Sequence, residues 1–236
     1  MVRDTTLVLT SCDRADLLQI TLQSLCDNTN FTGIDKIVII EDSHNTEIPE
    51  KIVPKEIQGV PVICLQNDEN RGLQYSIERA YGEVETPYIY HCEDDWIFST
   101  SLFLEESRLI LERFHDVSMV MVRDVTTFNA KFTSGKLEAV EMPNGEQVEF
   151  WRTPHDVNSD FGHYSFNPGL RRTEDLITLA ERRNMLNVIT SERKMSMGFR
   201  DHMKMRLALL KRGDVRHIGD GRSMVKVFYE KKNRKN

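Results

Sequence analysis

No glycine stands in the first predicted strand-to-helix turn of this 236-residue chain, Thr10-Ser11-Cys12-Asp13-Arg14. That absence removes the glycine fingerprint by which dinucleotide-binding folds seat a pyrophosphate. A Walker A lysine motif is also missing, so the two commonest nucleotide-binding readings of an α/β chain fall away. The four cysteines, Cys12, Cys26, Cys64 and Cys92, form no CxxC pair. Buried free thiols in a reducing compartment are expected, which points to the cytoplasm. No uncharged run approaches the roughly 18 residues of a membrane span, and the first strand begins without the apolar leader of a signal peptide. Positive charge is in deficit: the net charge of −6 argues against a nucleic-acid partner. A phosphorylated small molecule is still allowed, because a bound metal ion can reverse the sign locally.

What is present alternates. Thr5–Thr10 is a β-branched run and reads as a strand. Asp13 is expected to cap a helix from Arg14 to about Cys26, with Leu17, Leu18, Leu22 and Leu25 on one face. Lys36–Ile40 and Pro61–Leu65 read as buried strands, Leu73–Tyr81 as a helix with Leu73, Ile77 and Ala80 inward, and Pro87–Cys92 as a fourth strand. A helix from about Ser101 to Phe114 and a strand over Ser118–Asp124 follow. This succession predicts a mixed, mostly parallel sheet flanked by helices, in one domain over 1–236. Within it, 1–125 would bind a nucleotide, 126–225 an acceptor, and 226–236 would be a basic tail.

The second half has weaker periodicity. Gln147–Trp151 is expected as half of a hairpin, in a segment that builds a far wall or lid. Phe161–Gly169 reads as a short strand ending in a turn, Arg171–Arg183 as a basic helix, and Met195–Lys211 as a long helix closed by Gly213. Val215–Gly219 would add a last strand.

Chemistry concentrates where acids follow apolar strands. Glu41-Asp42 ends one such strand and Glu93-Asp94-Asp95 another. The carboxyl edge of a parallel sheet is where ligands bind, and three adjacent carboxylates beside Trp96 and Ile97 require a compensating cation. A hard divalent ion, Mn²⁺ or Mg²⁺, would supply it. The alternative is a helix N-terminus favouring acids, with Ser99 or Thr100 as its cap.

Four segments in this order resemble the inverting family 2 glycosyltransferases of GT-A fold. They are Leu9–Leu18 with Thr21–Leu25, Ile37–Ser43, Asn70-Arg71-Gly72-Leu73, and His91–Trp96. The resemblance covers residues 5 to 115 and implies a nucleoside diphosphate sugar donor, with UDP- or GDP-sugars foremost, and a saccharide or glycoconjugate acceptor. It implies that Thr10, Cys12, Arg14, Glu41, Asp42, Asn70, Arg71, Gly72, Glu93, Asp94 and Arg222 hold the donor. Asp42 lies at the end of the strand whose terminal acid contacts the base. Asp95 would ligate the metal, and Glu93 and Asp94 would act through ribose or water. His217, after a late strand, would complete the metal site, or else be an ordinary strand histidine. Inversion needs a general base on the acceptor side. Glu192 is favoured over Asp201, with Asp160 and Asp175 behind them; as a helix N-terminal acid, Glu192 also has a purely structural reading. Arg171 and Arg172 are further candidates to meet the diphosphate. A nucleotidylyltransferase of related fold and a noncatalytic sugar- or metal-binding domain stand as alternatives.

Overall fold

The computed structural model describes residues 2–127, 130–157, 161–183 and 189–222. The basic tail at 226–236 and Asp160 lie outside the described residues. All seven residues of β1 (Thr5–Ser11) are buried, as a β-branched strand covered on both faces requires. α1 (Ala15–Asn28) packs Leu17, Leu18, Leu22 and Leu25 inward. Asp13 does not cap it. That residue has φ 50°, and its amide donates to Glu41 Oε1 at 2.7 Å, so the turn is held by a neighbouring strand end.

β2 (Ile34–Glu41), β3 (Glu56–Ile57) and β4 (Val60–Gln66) come next, then α2 (Leu73–Tyr81), which buries Ser76, Ile77 and Ala80. Leu73, expected inward, is exposed at the start of the helix. β5 (Tyr88–Glu93) carries the first acid of the triplet, and β6 (Trp96–Ile97) follows directly. α3 (Leu104–Arg113) begins only after Phe103, which has φ 52°, with no side-chain cap. The acids therefore do not form the N-terminus of that helix, and Ser99 and Thr100 do not cap it.

β7 (Val117–Met121), the hairpin β8 (Leu137–Glu141) and β9 (Gln147–Arg152), and β10 (Gly169–Arg172) follow. α4 (Thr173–Arg182), α5 (Glu192–Gly198), β11 (Arg206–Leu210) and β12 (Arg216–His217) complete the described chain. Ten strands form one sheet in the order β3-β4-β2-β1-β5-β10-β7-β11-β9-β8, and β12 pairs with β6 separately. β4, β2, β1 and β5 are mutually parallel. β10 enters antiparallel between β5 and β7. The predicted mixed sheet flanked by helices is present, with its parallel ladders concentrated at β4, β2, β1 and β5: four of its nine strand pairings are parallel and five antiparallel. Alternate residues of β1 serve two cores: Leu7 and Leu9 pack on the α1 and α3 side, and Val8 on the α2 and α4 side.

Three expectations for the second half give way. The strand lies at Gly169–Arg172, not before Gly169, and Arg171 and Arg172 belong to it and not to a helix. Their guanidinium groups are buried because carbonyls receive them. Arg172 donates to Leu111 O and Val117 O, each at 2.6 Å, and Arg171 to Ser165 O at 3.1 Å. The long helix stops early. A single wide turn at Phe199–Met203 and Lys204, with φ 59°, break it before β11. Contiguous Leu207-Ala208-Leu209-Leu210 is apolar on both faces, a pattern shared by a buried strand and a buried helix, and the free edge of β7 selects the strand. The 137–152 hairpin extends the main sheet through β11, burying Val140, Val148 and Phe150 in the core, and is not a lid.

Candidate active site

Parallel register brings the chemistry to one edge. Ser11 lies opposite Glu41, and Thr10 lies opposite Glu93, so the ends of β1, β2 and β5 present their polar residues together. Asp94 and Asp95 continue past β5 and are both buried. Their backbone is pinned by α1: Thr21 Oγ1 donates to Asp94 O at 2.7 Å and accepts from the Trp96 amide at 3.1 Å.

Arg14 supplies the opposing charge. Its Nε donates to Asp94 Oδ2 at 3.1 Å, its Nη2 to Asp94 Oδ1, and its Nη1 to Asp95 Oδ2 at 2.8 Å. Ser11 Oγ adds a bond to Asp94 Oδ2 at 3.1 Å. Burial pushes Asp94 above the ordinary carboxylate range, while Arg14 pulls against it. For Asp95 burial also acts upward, but hydrogen bonding from His217 and the Arg14 charge outweigh it and hold the group low. Half-buried Glu93 is raised to about 8, first by burial and then by repulsion from Asp95 and Glu192.

β12 delivers the histidine. His217 pairs with Trp96 across the β6–β12 ladder, and its Nε2 stands 3.3 Å from Asp95 Oδ2. Its Nδ1 meets Asp220 Oδ1 at 3.0 Å. The hydrogen bond to Asp95 raises the imidazole pKa, against the effect of burial. The Ile218 amide donates to Asp95 O at 2.8 Å, and a Cβ on Gly219 would overlap the Asp95 carboxylate. Only glycine permits that approach.

Residues of the donor-side prediction fall into two groups. Cys12, Glu41, Asp42, Asn70, Arg71 and Gly72 are knit together. Asp42 accepts from the amides of Arg71 and Gly72, each at 2.8 Å, and from Asn67 Nδ2 at 2.7 Å, so its carboxylate orders the Asn-Arg-Gly turn. Gly72 has φ 90°, which suits glycine there. Asn70 Nδ2 donates to Cys12 Sγ at 3.0 Å. Burial and the neighbouring acids Asp42 and Glu41 push the Cys12 thiol up to about 12, so it stays protonated. The Arg71 guanidinium lies over Tyr75, 4.7 Å from the ring centre, beside a cleft lined by Asn67, Asp68 and Arg79. Thr10 Oγ1 and Glu41 Oε2 are buried with no hydrogen-bond partner among the described residues. Arg222 stands apart on the surface, paired with Asp16 at 2.6 and 3.1 Å.

The two base candidates differ sharply. Glu192 is the first residue of α5, and its Oε1 accepts from Ser165 Oγ at 2.5 Å and the Phe166 amide at 2.8 Å. Burial raises its pKa, partly offset by those two bonds. Its negative charge adds to the repulsion that raises Glu93. Asp201 is exposed and paired with Arg200 at 2.7 Å. Asp175 is buried against Arg172 at 2.8 Å. Neither Arg171 nor Arg172 is available to a diphosphate, since both are enclosed in β10. Residues that sequence reading missed include Ser11, Thr21, Ser165 and Gly219. Thr21 had a signal, a polar residue among the leucines of α1; Ser165 and Gly219 had none.

The donor set suits a divalent ion. A carboxylate and an imidazole face each other, and Asp95 Oδ1 is buried without a partner. That is a hard oxygen beside a nitrogen donor, as a borderline ion such as Mn²⁺ accepts. No group of three or more His, Cys, Asp or Glu side chains gathers as a cage among the described residues. Any ion held by Asp95 and His217 would therefore take its other ligands from water and from a bound diphosphate.

A family model described as glycosyl transferase family 2 matches residues 6–167, more than half the chain. The chain belongs to this family. No curated protein sequence matches it. Among solved structures it is similar to S. aureus TarS 1-349 in complex with UDP-GlcNAc, at 14% identity and a TM-score of 0.59, over 96% of this chain and 64% of that one. It is similar also to GalNAc-T7 with UDP, GalNAc and Mn2+, at 12% identity and a TM-score of 0.62, over 92% of this chain and 44% of that one. At these identities the likeness establishes a GT-A-type fold. The chain spans less than two thirds of the length of each.

Proposed function

We propose that this chain transfers a hexosyl or N-acetylhexosaminyl group, with inversion, from a nucleoside diphosphate sugar to a saccharide or glycoconjugate acceptor. The observation that carries this reading is the convergence of Asp94, Asp95, His217 and Arg14 at the carboxyl edge of the sheet. A diphosphate needs cations there, and the missing glycine loop leaves Arg14 and an ion, Mn²⁺ or Mg²⁺ on Asp95 and His217, to provide them. Such an ion would neutralise charge on the departing diphosphate. Arg14 adds charge-assisted hydrogen bonds at the same place.

On the acceptor side Glu192 takes the hydroxyl proton. Its Oε1 is held by Ser165 and Phe166, which fixes the carboxylate in direction. Burial raises its affinity for that proton towards the value a base near neutral pH needs. UDP is the first nucleotide to test, because both similar structures contain it or its sugar conjugate. A cytoplasmic location belongs to the same proposal and rests on the four free cysteines. Among the described residues no helix is long and apolar enough to cross a membrane.

A thermal-shift panel of UDP, GDP, CDP and dTDP, each with and without Mn²⁺, tests the donor and metal assignments. One nucleotide should stabilise the protein, more so with metal, and Asp95→Ala should abolish the metal increment. Equal shifts with and without metal in both proteins would sink the metal site. Donor binding without any transfer or slow hydrolysis would favour a noncatalytic binding domain.

A further inference from the structure

Arg171 is fully buried in β10, yet every acceptor it meets among the described residues is neutral. Nη1 donates to Tyr164 Oη at 2.8 Å and Ser165 O at 3.1 Å, and lies 3.5 Å from Tyr81 Oη. Nη2 donates to Asn167 O at 3.3 Å and Gly169 O at 3.4 Å. A guanidinium enclosed without a carboxylate is costly unless an anion compensates it from nearby. The carboxylate whose charge bears most on it is Glu192.

One peptide group joins the two. The Ser165–Phe166 unit accepts from Arg171 at its carbonyl and donates from its amide to Glu192 Oε1 at 2.8 Å. Hydrogen bonds at the two ends of one amide polarise each other, so the cation strengthens the donor that faces the carboxylate. The same turn supplies the second bond to that oxygen. Ser165 Oγ accepts from Asn167 Nδ2 at 2.7 Å, which leaves its proton for Glu192 Oε1 at 2.5 Å. Arg171 thus grips the carbonyls of a turn whose N–H and O–H groups aim the carboxylate.

Resting on the assignment of Glu192 as base, we propose that Arg171 is a positioning residue for Glu192, its charge reaching the carboxylate through the Ser165–Phe166 peptide group. The guanidinium favours the anion that burial disfavours, and so keeps Glu192 able to accept a proton. Tyr81 of α2, His91 of β5 and Tyr164 also surround Arg171. Burial holds the Tyr81 hydroxyl up and, with the Arg171 charge, the His91 imidazole down, so both stay neutral where a glutamate titrates. Arg123 reaches the turn through Asn167 Oδ1 at 3.1 Å, and Glu93, raised to about 8, repels Glu192.

Carboxyl-carbon NMR of protein labelled with ¹³C at glutamate tests this without substrate. The Glu192 signal is the one lost in Glu192→Gln. Its midpoint should rise by about 1 pH unit in Arg171→Met, the low end of what a nearby cation does to a carboxylate. In Arg171→Lys, which keeps the charge, it should stay near the wild-type value. In the wild type the Phe166 amide and Arg171 guanidinium resonances should move with that same midpoint. They should stop doing so in Glu192→Gln but not in Glu93→Gln, and this titration decides the matter if the Arg171 variants do not fold. An unchanged or lowered midpoint in folded Arg171→Met, or an equal rise in Arg171→Lys, would overturn the proposal. So would wild-type Phe166 and Arg171 resonances that do not follow Glu192. The base assignment fails separately: if Glu192→Gln retains full transfer activity while the shared titration holds in the wild type, the peptide link is right and only the base is wrong.

Discussion

A buried carboxylate is defined by its donors, and at this edge of the sheet adjacent acids have different donors and hence different work. Asp42 spends its oxygens on the Asn-Arg-Gly turn, Asp94 on Arg14 and Ser11, and Asp95 keeps one oxygen unpartnered. Glu192 is seated by Ser165 and Phe166, whereas Asp201 faces solvent with Arg200. Glu192→Gln should lower the rate of transfer by roughly 10²- to 10⁴-fold while nucleotide-induced stabilisation persists. Asp201→Asn should stay close to wild type in the same transfer assay. Because burial raises Glu192, activity should climb with pH through a range above that of an ordinary glutamate, as the carboxylate form becomes populated. Full transfer activity in Glu192→Gln would remove it as the base.

At the level of elements, the edge of the sheet is tied by charge as well as by its ladder. Asp116, just before β7, accepts from Arg152 of β9 at 3.0 and 3.2 Å and from Arg206 of β11 at 2.9 Å. Burial acts upward on its pKa, but those two arginines outweigh it and hold the folded value below the ordinary aspartate range. A depressed acid stabilises the fold above its unfolded pKa, and that contribution is lost as pH falls through the folded value. Asp116→Asn should therefore cost about 1 kcal/mol at neutral pH, a small figure because the carboxylate is a third exposed. In urea denaturation the gap between variant and wild type should close as pH drops below the aspartate range; a gap independent of pH would assign the effect to packing.

Across the whole molecule, β10 is the suture. It joins the parallel set β4-β2-β1-β5 to β7 and the strands beyond it, running against both neighbours. Gly169 is what lets it in, since a Cβ there would collide with Val120 O. Gly169→Ala should lower stability by about 1–3 kcal/mol, the range for overpacking a full core, read as a lower urea midpoint with unchanged slope. A drop in slope would mean that the two halves of the sheet unfold separately.

How much of this was legible beforehand follows from where the information resides. The alternation of apolar runs and helical faces up to residue 121 specifies β1, β2, β4, β5 and β7 to within about three residues, because burial on both faces demands contiguous apolar strands, whereas the two-residue strands β3 and β6 carry no such run and were not foreseen. The acids at the ends of β2 and β5 were readable for the same reason. Arg171 and Arg172 were not, since a charged pair looks solvated until carbonyls of other elements receive it. Nor was β11, because Arg206–Leu210 satisfies helix and strand alike and only the open edge of β7 decides. By itself the sequence determined that carboxylates would gather at one edge of a parallel sheet and need a cation. Which cation stands on which oxygen was decided by tertiary structure alone: Arg14 in the turn before α1, Asp95 in the turn after β5 and His217 in β12 are far apart along the chain, and only folding brings them within bonding distance.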